Sequence, residues 1–459
     1  WCCRPQRSKI SRGSTSNSSH YCRRSLQPDR GPGTEHDGGF DESMETLTMQ
    51  IAGEHVELGA HFVHGKENSC LFDLIVREGW AFTEHAWPNF MYLNQKLVDV
   101  STDEGWDQLP QDLQLPFDLV DELREQHVEV EDAPNGQTGD LTMREYLRSK
   151  GVSDRGLLLA DATIANDYGT SLERLGLNAT AHECKSWNNG LTYVVINGGM
   201  SRVVDHLTPR SPNVKIATSW RVASVVQEHG RVVTVTSDDG RKLTARRVIC
   251  TVPLPVLRSN TITFSPPLPP AKRNAARVIR MDTAVKVIAV FSRQFWSVSG
   301  LYDVVDPEGF VPEFWFSSSS SVQDGKFVGK VAATGFAAGR FGDKVGRETS
   351  TRCIQLFVQQ LDRIFGDEAT PHPASDTFIQ GDVVDWAKTH DVRGGYTSPS
   401  VDSNVQHRHH LADPHGSVFF AGEATDIGMT PCVQAAMESG QRAAQQVTSS
   451  LSLQPHSRL

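Results

Sequence analysis

The chain has 459 residues, 38% of them hydrophobic, and carries a formal net charge of −10 from 45 basic and 55 acidic side chains. This length accommodates two domains or one large fold with an inserted lobe, and the acidic balance argues against nucleic acid as the main partner. No apolar stretch approaches the roughly 18 residues of a membrane helix, and the eight cysteines are scattered without a CxxC pair, as expected of reduced thiols in an intracellular compartment.

Residues 1–43 are rich in Ser, Arg, Gly and Asp and lack apolar periodicity, so they read as disordered or wrongly attached sequence. Order is expected from METLTMQIAGEHVELGAHFVHG, as two short strands around Gly53 that lead to a turn at Gly65. In NSCLFDLIVREGW, Leu71, Leu74 and Ile75 have helical spacing behind an Asn/Ser cap, and Gly79 closes the helix. The acidic residues of 117–132 read as a solvated helix face, and DLTMREYLRSKG as a capped helix ending at Gly151. YVVINGGMSRVVDHL predicts a strand, a Gly-Gly turn and a short helix.

VKIAT, RVASVVQE and RVVTVTS then predict a β-meander with turns at His229-Gly230 and Asp239-Gly240, followed by a strand, RRVICTVP, ending at Pro253. LPPAKRNAARVI predicts a helix, TAVKVIAVFSRQFW a long strand, and 349–365 another helix. His407, His409 and His410 lack carboxylates at ligand spacing and predict a solvated loop rather than a metal site. Last comes VFFAGEATDIGMTPCVQAAMESGQRAA, a strand, a Gly-Glu turn and a helix with Thr430 as its cap and Pro431 as its first residue. A helix N-terminus placed this way can receive a phosphate or a flavin ring.

Taken in order, VELGAHFVHG, GGMSRVVDHL, ARRVICTVPLPVLRSNTITFSPPLP, AVKVIAVFSRQFW, Trp386, GGYTSP and FFAGEATDIGMTPCVQAAMESGQRAA resemble the flavin-dependent amine oxidases. That family includes polyamine oxidases, monoamine oxidases and histone lysine demethylases, and the polyamine oxidases are the nearest in pattern. The resemblance implies a mixed α/β fold in which a glutathione-reductase-like Rossmann domain for FAD is interleaved with a substrate domain. The expected division is 44–65, 195–262 and 376–449 for the FAD domain, 66–194 and 263–375 for the substrate domain, and a 450–459 tail. It also implies oxidation of a C–N bond of a polyamine-like amine by O2, giving an imine, then an aldehyde and an amine, and H2O2.

The resemblance assigns residues as well. Lys286 is implied to hold a water beside the flavin, as a buried ammonium of perturbed pKa can. Tyr396 is implied as an aromatic wall, Trp386 as a flavin neighbour, and His64 as an imidazole at the turn near the ring. Glu423 is implied to accept from cofactor hydroxyls, with Gly422 permitting close approach. Val433 and Thr430 belong to the helix start that faces the flavin carbonyl, and Val222 completes the cofactor-binding set. Gly395 stands where monoamine oxidases carry the cysteine of covalent attachment, so FAD is expected to be non-covalent. Cys432 stands at their second aromatic wall, which disfavours aryl monoamines.

The family opens with a strand and GxGxxG, whereas residues 1–43 offer only RGPGTEHDGG, with no preceding strand and no following helix. The expectation is therefore an N-terminally truncated sequence, with a flavin-free pseudoenzyme as the alternative. Within the class, the alternatives are a histone demethylase-like enzyme and an L-amino-acid oxidase-like enzyme. Ser457-Arg458-Leu459 is close to the SKL peroxisomal address, which implies peroxisomal localisation, or else cytoplasmic, and an import receptor as partner. The sequon at Asn178 is glycosylated only in a secreted protein.

Overall fold

The computed structural model describes residues 48–85, 87–125, 140–208, 212–228, 232–298, 300–319, 322–323, 326–428 and 432–452. The expectations for residues 1–43, for the His229-Gly230 turn, for Thr430 and Pro431 and for the Ser457–Leu459 ending lie outside the described residues.

The architecture is mixed α/β, and its largest sheet has seven strands. Their spatial order is Phe378–Asp385, Ala284–Phe291, Val331–Ala338, Glu313–Ser317, Asp303–Val305, Phe90–Leu93 and Lys96–Asp99. Ala284–Phe291 is paired antiparallel on both sides and every residue in it is buried. Burial on both faces explains the near-continuous apolar run AVKVIAVF, in which Lys286 is the one charged residue. Its residues alternate between two cores, as strand geometry requires. Val285, Val287, Ala289 and Phe291 face Phe357 and Leu361 of the amphipathic helix Ser350–Phe365. Ile288 and Val290 face a core with Ile51, Val56, Leu58 and Trp386. Lys286 shares their parity, so its ammonium is sent toward the Glu54–Glu57 strand and the segment after it.

A helical layer is built from Gln111–Glu125, Met143–Ser149, Asp154–Ala160 and Leu177–Ser186, around a core of Leu119, Leu147, Leu157, Ile164 and Tyr168. Asp154–Ala160 runs into a π turn at Asp161–Ala165. Such turns are rare and are frequent at functional sites; this one delivers Asn166 and Asp167, both buried. Elsewhere, Val248–Cys250 pairs in parallel with Val418–Phe420, which leads through the Glu423–Thr425 turn to the helix Val433–Ser452.

Local capping follows the sequence. Ser69 accepts from Phe72 N at 3.2 Å to start Cys70–Arg77, and Thr142 and Glu145 close a reciprocal capping box. Two readings need correction, one strand is additional, and one strand crosses an expected boundary. VKIAT forms no strand, and among the described residues no strand pairs with it, which leaves Val214 and Ile216 exposed. RKLTA supplies an additional strand, Lys242–Ala245, paired with Val232–Ser237. The histidine-rich stretch is a helix, Val405–Ala412, started by an Asn404–His407 capping box rather than left as a loop. Phe378–Asp385 hydrogen-bonds to Ala284–Phe291, so it lies in the sheet of the expected substrate domain, across the boundary read at 375.

Candidate active site

Residues 57–64 link the Glu54–Glu57 strand to Val63–His64, which pairs with Tyr193–Ile196. Distant parts of the chain converge on this segment. Lys286 Nζ donates to Glu57 O at 3.0 Å and also to Gly59 O. Trp386 Nε1 donates to Leu58 O at 3.0 Å. Gln434 Nε2, in the first turn of Val433–Ser452, donates to His64 O at 2.6 Å. Val433 itself packs with Val63 and Leu71.

Tyr396 belongs to a second group. Its hydroxyl donates to Asp167 O at 2.5 Å, and its ring lies against Gly169, where an added Cβ would come within 3.0 Å. The next residue, Thr397, holds the Glu423 carboxylate through its hydroxyl at 2.6 Å and its amide at 3.3 Å. Gly422 has a φ of 119°, and a Cβ there would meet only Thr251 O, at 4.0 Å. The backbone is therefore open to close approach at this turn. Lys286, Trp386, His64 and Val433 thus meet at this segment, while Tyr396, Glu423 and Gly422 form a second group joined through Thr397. Val222 lies apart from them, packed against the Val418 and Phe420 core beneath the turn.

Burial sets the electrostatics. Lys286 is 5% exposed, and desolvation lowers its pKa to about 8 against the opposing pull of Glu57 and Glu313. His64 is lowered to about 3 by burial and is neutral at physiological pH. Glu57 is raised by burial, although Met200 N and Thr48 Oγ1 donate to it at 2.7 and 2.9 Å.

Several site residues escaped sequence reasoning. The Trp315 ring centroid lies 5.3 Å from Lys286 Nζ, and Phe62 and His61 each lie 5.2 Å from Trp315. His61 Nε2 is 3.1 Å from Tyr302 Oη, and His85 stacks on Tyr302 at 3.5 Å. Tyr193 contacts Phe62, His64 and Trp87. Aromatic walls are therefore present although Cys432, at the expected second wall, packs against the helical layer. Within these walls Glu313, 4% exposed, accepts from Trp87 Nε1 at 2.6 Å and Asn166 Nδ2 at 3.1 Å. Burial pushes its pKa up to about 7, and Asp167 is raised well above the ordinary carboxylate range by burial and then by Glu313. Glu313 and Lys286 both pair with Phe336, from opposite sides. They share a sheet face two strand spacings apart, roughly 10 Å. The available signal for Glu313 was a carboxylate inside an apolar strand, VPEFWFS, the same anomaly that marks Lys286.

The residues fit a flavin. They supply an open glycine backbone beside a carboxylate able to accept from hydroxyls, and the N-terminus of a 20-residue helix for an electron-rich carbonyl. Gln434 Oε1 is buried without a partner among the described residues. No group of His, Cys, Asp and Glu among the described residues is arranged to hold a metal ion.

Known proteins share sequence and fold with this chain. Polyamine oxidase 3 of Oryza sativa subsp. japonica is 26% identical over 408 residues, covering 86% of this chain and 79% of that protein. Lysine-specific histone demethylase 1 homolog 3 of Arabidopsis thaliana is also 26% identical, over 63% of this chain and 19% of its own length. The fold is similar to that of cyclohexylamine oxidase from Brevibacterium oxydans IH-35A, with a TM-score of 0.72 at 20% identity over 89% of this chain and 91% of that one. It is also similar to putrescine oxidase bound to putrescine, with a TM-score of 0.69 at 17% identity over 88% and 91%. The family model for flavin containing amine oxidoreductases matches residues 44–448, so the chain belongs to that family and is a flavin-dependent amine oxidoreductase.

Proposed function

We propose that the chain is a polyamine oxidase using non-covalent FAD. The observation that carries this reading is the buried Glu313, with Asp167 beside it, set among aromatic side chains on the same sheet face as Lys286. A buried carboxylate needs a counter-charge, and aromatic faces attract cations. A diamine or polyamine supplies both a distal ammonium for Glu313 and a second nitrogen for reaction.

Each residue has a defined task in this reading. Glu423, Gly422 and the helix that starts at Val433 hold the cofactor, and Gly395 offers no nucleophile for covalent attachment. FAD, when bound, accepts a hydride from the carbon next to the amine nitrogen and is reoxidised by O2 with release of H2O2. Lys286 orients a water between its ammonium and the reacting centre. Tyr396, fixed by Asp167 O, and Trp386, fixed by Leu58 O, shape the wall that orients the amine. Neutral His64 accepts from the amine or donates to the departing product. The Ser457-Arg458-Leu459 ending supports a peroxisomal address, and a fluorescent fusion lacking these three residues tests it; unchanged import refutes it.

Purified protein should release a yellow flavin on denaturation, identified as FAD by mass. It should also produce H2O2 from spermine, spermidine or their N-acetyl forms in preference to aryl monoamines and methyl-lysine peptides. Preference for an aryl monoamine or a methyl-lysine peptide would overturn the polyamine assignment.

A further inference from the structure

The histidine-rich helix Val405–Ala412 contains Arg408, and the functions given above leave it unused. Arg408 is buried, and its guanidinium reaches two layers of the molecule at once. Nη2 donates to Glu183 Oε1 at 3.0 Å, on the Leu177–Ser186 helix, and lies 3.5 Å from Thr397 Oγ1. Nη1 donates to the carbonyls of Glu423 at 3.3 Å and Asp426 at 3.5 Å. Thr397 in turn donates to the Glu423 carboxylate. One side chain therefore braces the Glu423–Thr425 turn through its backbone and also through the threonine that holds its carboxylate.

Glu183 is the counter-charge that makes this burial tolerable. Its Oε1 is on Arg408, and its Oε2 has no partner among the described residues. Glu183, Arg408 and Ser398 line a cavity of about 20 Å³, room for a single water. Burial raises the Glu183 carboxyl, and Glu423 repels it further, while Arg408 pulls it down. A lysine could not replace the arginine, because a compact ammonium cannot span a carboxylate and two carbonyls in a fixed plane.

We propose that Arg408, neutralised by Glu183, is a positioning residue that holds the Glu423 turn in its cofactor-facing geometry and so sets how tightly the flavin is retained. The proposal rests on the reading that the flavin lies against this turn.

The test uses the full chain with Arg408→Met, Arg408→Lys and Glu183→Gln. Asn404→Ala serves as control, because it removes the cap of the same helix (His407 N to Asn404 Oδ1, 3.2 Å) without touching the turn. Flavin release after dilution is followed by fluorescence. Hydrogen exchange is followed at the Thr425 and Asp426 amides, which bond to Gly422 O and Glu423 O. Arg408→Met and Glu183→Gln should each speed flavin release on the order of tenfold, the loss of one charge-assisted hydrogen bond, and should speed exchange at the turn. Arg408→Lys should restore only part. Asn404→Ala should lower the melting temperature while leaving both readouts at wild-type values.

If Arg408→Met does not fold, the near-isosteric Glu183→Gln carries the test. Unchanged release and unchanged turn exchange in a folded variant would overturn the proposal, as would an equal effect from Asn404→Ala. A wild-type protein that binds no flavin would overturn the cofactor reading instead. Exchange at the turn would still decide whether Arg408 positions it.

Discussion

Replacing Lys286 by Met separates a chemical role from a structural one, because the two energy terms nearly cancel. Burial holds the ammonium down to about 8 from 10.5. At ~1.4 kcal/mol per pH unit this difference places the cost of keeping the charge in the sheet at about 3 kcal/mol. Against that stand the bonds to Glu57 O and Gly59 O, charge-assisted and together worth about 3–5 kcal/mol. Methionine fills nearly the same volume with an adaptable, uncharged chain. Lys286→Met should therefore change stability by no more than about 2 kcal/mol, a shift of a few degrees in melting temperature. Turnover should fall at least ~10-fold if the ammonium orients a reacting water. Stopped-flow absorbance would follow flavin reduction and reoxidation separately, with calorimetry on the same samples. The linkage also has a sign. A lysine lowered in the folded state penalises folding below about pH 8 and ceases to do so above about 10.5. Wild type should therefore gain stability on Lys286→Met between these limits. Wild-type turnover in the variant would remove Lys286 from the mechanism, and a collapse of stability with normal chemistry would make it a structural residue.

Glu313→Gln removes the charge but keeps an acceptor for Trp87 and Asn166, so KM for a diamine should rise on the order of tenfold while KM for a monoamine changes little. In wild type the diamine KM should fall as pH rises through about 7, where Glu313 ionises, and this dependence should vanish in the variant; a parallel profile refutes the anchor. Glu313 is raised to about 7 and Asp161 and Asp426 to about 6, each chiefly by burial. The native state thus keeps protons that the unfolded chain releases, and the stability they confer is lost as pH rises from about 4.5 to 7. Melting temperature should fall between pH 5 and 7.5, and a rise there would contradict it. Gly422→Ala places a Cβ at a φ of 119°, which costs on the order of 1–3 kcal/mol; the fold should persist by circular dichroism while flavin is released faster, and unchanged retention would free that glycine of its assigned role.

Local chemistry made much of the fold legible before any coordinates. Ser69 and Gly79 bracket one helix, Thr142 and Gly151 another, and the AVKVIAVF run announces a strand covered on both faces. Lys286 stood out because a charge interrupts that run. Glu313 interrupts a similar strand, but its VPEFWFS is short, and nothing local says that Trp87 and Asn166, far away in sequence, donate to it. Arg408 was hidden for a related reason. Amid neighbouring histidines it reads as a solvated cation, and only the tertiary approach of the Leu177–Ser186 helix provides Glu183 as its partner. VKIAT failed in the other direction, because its β-branched composition favours a strand but no strand among the described residues pairs with it.

The charges inside the pocket bear on how one ligand could meet two different requirements. Lys286 supplies a cation at one end of the sheet face, and its field disfavours a second ammonium beside it, just as it lowers His61 after burial has done so. At the other end, Asp167 and Asp303 are raised by burial and again by Glu313, because carboxylates this close cannot all ionise together. An incoming ammonium relieves that repulsion and draws Glu313 toward its ionised form. In the proposed reading a diamine lying between them is sorted by these charges, charged toward Glu313 and neutral toward Lys286. Oxidation next to nitrogen requires the neutral amine, whose lone pair stabilises the developing cation. In the proposed reading the sheet meets that requirement through the placement of two opposite charges on one face, two strands apart.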